Sequence, residues 1–246
     1  MMAFGQQKTD GIRQQLDHAK LMATLGRNMG DEAKKAFASY SKLAEAGNAE
    51  AMNGLGQLYS RGVGTSADER QALKWFKKAA ANNYAPACFN VALFYKNGLT
   101  VMQDFSRAYA YFEKGAALGN EDCIYGQGYM LHKGYGCAQS YEQAVKLFKR
   151  GAALGNRGSC YMLGLCYRNG YGLVKNIDSA RSYLIKASKM GDTRASHELQ
   201  NPSPENADIK DVPQLQAPAS TGAKPVDLKK GFAQITHGVH RGEVVS

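Results

Sequence analysis

At 246 residues, with 44% hydrophobic and 10% aromatic side chains, the chain is long enough and apolar enough to bury a sizeable core, which excludes a wholly disordered protein. The formal charge is +10, yet residues 201–246 hold five cations and five anions, so the whole excess lies on residues 1–200. No apolar run of about eighteen residues occurs, and the opening stretch lacks the apolar core of a secretory signal, so the chain is read as soluble and cytoplasmic. The cysteines Cys88, Cys123, Cys137, Cys160 and Cys166 are odd in number and form no C-x-x-C pair. That suits neither a disulfide framework nor a zinc site, and they are read as small buried hydrophobes.

Residues 1–12 are an N-terminal extension, and from residue 13 the chain superposes on itself at an offset of 36. The first unit, 13–48, is degenerate: Gly26, Ala36, Tyr40 and Lys42 lie in register with Gly62, Ala72, Phe76 and Lys78. Clear units follow at 49–84, 85–120, 121–156 and 157–192. A partial cap at 193–200 begins another helix, with Ala195 in register with Ser159, before Asn201-Pro202 stops it.

In the first clear unit the spacing predicts a helix A over about 49–61, where Met52, Leu55, Gly56 and Tyr59 recur at i, i+3, i+4 and i+7. Gly62 closes it in a left-handed conformation. Helix B is predicted to start after Asp68, whose equivalents are Asp104, Ser140 and Asn176. All four are N-cap residues, whose side-chain oxygen accepts from an amide of the first turn, and Gln71 and Gln143 stand where a capping box needs them. Helix B ends at Gly47-Asn48 and its equivalents Asn83-Tyr84, Gly119-Asn120, Gly155-Asn156 and Gly191-Asp192, which read as C-cap signals. Its last turns carry Lys77, Lys78, Lys114, Lys149, Arg150 and Lys186, cations that complement a helix dipole. Small residues recur at Gly56, Ala92, Gly128 and Gly164 in helix A and at Ala79, Gly115, Gly151 and Ala187 in helix B. Glycine inside a helix costs about 1 kcal/mol relative to alanine, so its return in one column points to close approach of the paired helices. The chain is therefore expected to be all-α, a solenoid of 36-residue helix-turn-helix repeats.

The pattern Ala51-x3-Leu55-Gly56-x2-Tyr59-x2-Gly62-x-Gly64, then Asp68-x3-Ala72-x2-Trp75-Phe76-x-Lys78-Ala79-Ala80, resembles the Sel-one-like repeat family, a branch of the tetratricopeptide-like solenoids. The resemblance covers about residues 13–200 and implies a right-handed, TPR-like α-solenoid that acts as an adaptor without a shared catalytic residue. Gln127 at the Leu55 column, Thr100 at the second loop glycine and Asn83 at the closing glycine depart from the pattern. The paired cysteines of some secreted members have no counterpart here, which agrees with the cytoplasmic reading.

Stacked helix pairs form a superhelix whose concave face is lined by the A helices. With Met52, Leu55 and Tyr59 turned to the core, Asn53, Gln57 and Ser60 lie on the opposite stripe. Their equivalents are Phe89, Leu93 and Lys96, then Tyr125, Tyr129 and His132, then Tyr161, Leu165 and Arg168. These nine are the candidate partner-binding residues: apolar and aromatic side chains backed by a basic row resemble a recognition groove for an extended peptide or an acidic-apolar segment. The same columns also suit packing between neighbouring repeats, and the sequence leaves both readings open.

The expected function is that of a non-enzymatic protein–protein interaction adaptor or scaffold. One alternative is a nucleic-acid-associated basic repeat protein, although no reader motif is present; another is a repeat-derived enzyme. His18, His132, His197, His237 and His240 are scattered, and no phosphate loop, zinc-protease or nucleophile motif occurs. No catalytic, cofactor-binding or metal-binding residue is assigned, no cofactor is expected, and the partner is read as a protein or peptide rather than a membrane. Residues 201–246, with Pro202, Pro204, Pro213, Pro218 and Pro225, are expected to be a disordered tail. Within it Leu228, Phe232 and Ile235 would share one face of a short motif at 226–236, which reads as a docking element, a segment that folds back on the groove, or a plain terminus.

Overall fold

The computed structural model describes residues 30–200 together with Gln14, Asp17 and Lys20; the N-terminal extension, the tail 201–246 and its motif lie outside the described residues. Among the described residues there are ten helices and no strand: α1 (Gly30–Glu45), α2 (Ala49–Arg61), α3 (Glu69–Ala81), α4 (Ala85–Asn97), α5 (Phe105–Ala117), α6 (Glu121–Lys133), α7 (Tyr141–Ala153), α8 (Arg157–Asn169), α9 (Ile177–Lys189) and α10 (Thr193–Gln200). Even-numbered helices are the A helices of the repeat and odd-numbered ones the B helices. Each helix packs on its chain neighbours, so the core runs as a continuous strip through the stack. This is the expected all-α repeat solenoid.

Local chemistry accounts for the joints, although Tyr84, which precedes α4, makes no side-chain cap bond and Pro86 stands in the first turn instead. The four B-helix caps behave as the sequence predicts: Asp68 accepts from the amides of Arg70 and Gln71 (2.9 and 3.0 Å), Asp104 from Arg107 (2.8 Å), Ser140 from Gln143 (3.3 Å) and Asn176 from Ser179 (2.7 Å). Each bond satisfies an amide that has no partner inside the helix and contributes about 1 kcal/mol. The Gly-Asn step does more than end a helix. Gly119 and Gly155 take left-handed conformations (φ 86° and 88°), which lets the next amide close back on the preceding helix: Asn120 N–H donates to the Gly115 carbonyl (3.0 Å) and Asn156 N–H to the Gly151 carbonyl (2.9 Å). The same Asn side chains then cap the following A helix, Asn120 accepting from Cys123 and Asn156 from Ser159, both at 2.8 Å.

Packing explains the recurrent small residues. A Cβ on Gly56 would lie 2.7 Å from the Phe76 ring, on Gly128 2.7 Å from Phe148, and on Gly164 2.7 Å from Leu184, so each A helix receives a bulky side chain from its own B helix. Two positions earlier, Gly54 faces Tyr40 and Gly126 faces Phe112, both rings coming from the preceding repeat. The B-helix ring is thus a wedge between two successive A helices, and Phe76, Phe112 and Phe148 are essentially sealed from solvent. Each such ring contributes about 1.5–3 kcal/mol by leaving water.

Three of the cations at the B-helix ends turn out to act across repeats. Lys114 Nζ donates to the Ala80 carbonyl (2.6 Å), Arg150 Nη2 to Ala116 (3.0 Å) and Lys186 Nζ to Ala152 (3.3 Å). Each side chain therefore satisfies the carboxyl end of the preceding B helix, where orphan carbonyls and the negative end of the dipole coincide.

The departures from the repeat pattern leave its geometry in place. Asn83 and Thr100 adopt the left-handed conformation of the glycines they replace (φ 58° and 57°), and Gln127 donates to the Tyr109 hydroxyl at 3.4 Å from the Leu55 column. Cys88, Cys123, Cys160 and Cys166 are buried and Cys137 is half-buried.

Candidate functional site

The nine candidate residues lie on three successive A helices, three each on α4, α6 and α8, at i, i+4 and i+7. The structure divides them. Leu93 and His132 are only 8% and 7% exposed, whereas Phe89, Lys96, Tyr125, Tyr129, Tyr161, Leu165 and Arg168 are half-buried. The stripe that periodicity turns away from the core is partly covered from two sides, by rings of the paired B helix that approach Phe89, Tyr125 and His132 and by the next repeat on its flank. In the first clear unit this cover is complete at Asn53, whose side-chain oxygen accepts from Asn90 Nδ2 at 2.8 Å in the interior. A buried amide without such a partner would cost about 1–3 kcal/mol, so the two asparagines stabilise each other's burial.

Phe89 packs toward Phe112 of its own B helix (ring centroids 6.0 Å apart), and Tyr125 toward Phe148 (6.3 Å). Tyr125 also lies over Gly158, where a Cβ would stand 3.0 Å from the ring. Tyr129 neighbours Tyr125 at 6.3 Å and Tyr135 at 6.4 Å. The Lys96 ammonium lies 5.7 Å from the Tyr129 ring centroid. Burial lowers the pKa of Lys96 and raises those of Tyr129 and Tyr161, because each loses water around its charged form.

Arg194, on α10, completes this surface. Its guanidinium stacks on the Tyr161 ring at 4.3 Å and its Nη1 donates to the Tyr125 hydroxyl at 3.5 Å. Asp192 holds it through Nε (3.1 Å) and Nη2 (2.7 Å) while also accepting from the Arg194 and Ala195 amides as the cap of α10. Arg194 is absent from the sequence-derived set because its column reads Glu50, Pro86, Asp122 and Gly158, with no shared chemistry to flag. A run of contacts now joins Lys96, Tyr129, Tyr125, Arg194 and Tyr161, from α4 through α6 and α8 to α10.

The third column ends differently in each repeat. His132 is enclosed by Tyr141 and Tyr171, with ring centroids 5.1 and 5.4 Å away, and its Nδ1 is buried without a hydrogen-bond partner. Arg168 pairs through Nη1 with Glu198 Oε2 at 2.5 Å. Among the described residues no group of three or more His, Cys, Asp and Glu side chains is placed to hold a metal ion, and no helix is long and apolar enough to cross a membrane.

Helix pairs joined by repeated caps, wedged by one bulky side chain per repeat and carrying an aromatic, cation-bearing face define a helical-repeat protein. A Sel1 repeat model matches residues 49–84, 85–120, 122–156 and 158–192, over half of the chain, which therefore belongs to the Sel1 repeat family. Among solved structures it is similar to a protective antigen of uropathogenic Escherichia coli with an SLR fold, at 31% identity over 66% of this chain and 35% of that one, with a TM-score of 0.63. A Sel1 repeat protein from Oxalobacter formigenes is 28% identical over 74% of this chain and 76% of that one, with a TM-score of 0.66. An immunity protein from Pseudomonas aeruginosa shares the fold at 21% identity over 80% of this chain and 75% of that one, with a TM-score of 0.53. A search of curated proteins finds no match to the chain. Sel1 repeat proteins are generally protein-interaction scaffolds, and the fold is generally non-catalytic.

Proposed function

We propose that this chain is a non-enzymatic adaptor that holds a peptide or protein segment against the A-helix face of α4, α6 and α8. The observation that carries this reading is the continuous run of tyrosines and cations from α4 through α6 and α8 to Arg194 on α10, whose side chains are held by contacts with one another before any partner arrives. Pre-ordered aromatic side chains lose little conformational entropy on binding, which is why interfaces concentrate energy on them. Lys114, Arg150 and Lys186 at the B-helix ends are engaged with helix carbonyls, which leaves these three less suited to tracking phosphates.

The test is affinity purification from the protein's own cells with the intact chain and with a Tyr125→Ala, Tyr129→Ala, Tyr161→Ala variant, after circular dichroism has established that both are folded. A partner retained by the first and lost by the second supports the reading. A folded variant that keeps every partner sinks it and moves attention to the B-helix side.

A further inference from the structure

Carboxylates on the A helices α2, α4, α6 and α8 are confined to the first turn, as Glu50, Glu121 and Asp122, and α4 and α8 have none. Basic side chains close each of these helices: Arg61, Lys96, His132 with Lys133, and Arg168. Within this polarity Lys96 stands apart. It is half-buried, its ammonium meets the Tyr129 ring, and no carboxylate among the described residues pairs with it. A cation held partly out of water costs free energy until an anion meets it.

Arg168, two column members further along, supplies the comparison. Its counter-ion Glu198 comes from a position thirty residues on, in α10. The position thirty residues after Lys96 is Gly126, where a Cβ would stand 2.5 Å from the Phe112 ring. The chain therefore furnishes a carboxylate to Arg168 and cannot furnish one to Lys96 from the same place. Arg194 likewise has its own carboxylate in Asp192. Of the three cations on this surface two are neutralised internally, which favours a ligand bringing a localised carboxylate over a polyphosphate that needs a row of unpaired cations.

We propose that Lys96 is the charge-reading point of the face and that its occupant is an acidic segment of a partner protein, an Asp or Glu carboxylate meeting the Lys96 ammonium while neighbouring apolar side chains lie on Tyr125 and Tyr129. This rests on the adaptor reading above and adds the chemistry of the partner. A carboxylate arriving over Tyr129 forms a charge-assisted contact beside low-dielectric ring surface, where such pairs are stronger than in open water.

The experiment selects random phage-displayed dodecapeptides on the full chain, then measures the chosen peptides by fluorescence anisotropy against the full chain and its Lys96→Met and Tyr125→Ala, Tyr129→Ala, Tyr161→Ala variants. Methionine keeps the length of the stem and removes the charge; circular dichroism checks both folds. The expected result is enrichment of Asp or Glu at one peptide position and binding about tenfold weaker in Lys96→Met. Replacing that acid by Asn or Gln should weaken binding to the native chain by a similar factor and cost nothing further in the Lys96→Met variant. Peptides without acid enrichment that need the tyrosines overturn the charge proposal and leave the adaptor reading standing. Peptides that bind the tyrosine variant as well as the native chain overturn the face itself. A selection without consensus overturns the proposal too, since short acidic segments are what the library holds. Lys96-dependent binding of labelled oligo-dT of twenty nucleotides that acidic peptides fail to displace assigns the face to phosphate instead.

Discussion

The imidazole of His132 lies between the Tyr141 and Tyr171 rings with its Nδ1 buried and unpartnered, and this shapes how stability depends on pH. Burial, reinforced by Lys133, disfavours the charged ring and holds its pKa below the ordinary 6.5. As pH falls through about 6.5 the unfolded chain takes up the proton first, so stability present in neutral solution is lost below that point. Urea unfolding at about pH 7.5 and pH 5.5 should show a larger drop for the native chain than for His132→Gln, which cannot titrate. Equal drops would mean that other groups carry the acid sensitivity. Periodicity placed His132 on the right helix stripe but could not foresee its enclosure, because Tyr171 belongs to the loop of the following repeat. Asn53 is likewise buried by a residue of the following repeat, Asn90, and Arg194 escaped notice because it repeats nothing.

Turns at the A-to-B junction expose a strain that the other repeats avoid. Gly64, Gly136 and Gly172 have φ between 70° and 72°, and Thr100 takes φ 57° at the equivalent position with a β-branched, solvent-exposed side chain. A left-handed conformation costs a residue with a Cβ about 1–2 kcal/mol, partly offset by the entropy that glycine restores to the unfolded chain. Thr100→Gly is therefore expected to raise stability by about 1 kcal/mol, or about 2–4 °C in Tm. Asn83→Gly should gain less, since asparagine tolerates this conformation better. A calorimetric scan in which Thr100→Gly melts no higher than the native chain would show that the loop absorbs the strain elsewhere. Caps, glycine stops and the A-helix stripe were legible in the sequence because each is decided within a few residues. Less legible was the reach of Lys114, Arg150 and Lys186 into the previous repeat, since a lysine near a helix end looks the same whichever helix it serves.

Along the stack helices pack on their chain neighbours, with Arg194 reaching Tyr125 across one intervening repeat, so stability is close to a sum of unit and neighbour terms and the ends have one neighbour fewer. The short α10, with exposed Thr193, Arg194, His197 and Gln200 and buried Ala195 and Leu199, presents a polar outer face in the manner of a terminal cap. Hydrogen exchange should run slowest in α4 to α7 and faster in α1 and α10. Uniform protection from end to end would instead mark a single cooperative block. The Gly-Asn joint has a further implication at this scale. Because one dipeptide both finishes a helix and starts its successor, the seam at Asn120 and the seam at Asn156 are chemically interchangeable. Unequal crossing-over between such seams would add or drop a whole unit and leave every terminus capped, so the number of repeats is a quantity that heredity can adjust by recombination, lengthening or shortening the aromatic face in the same step.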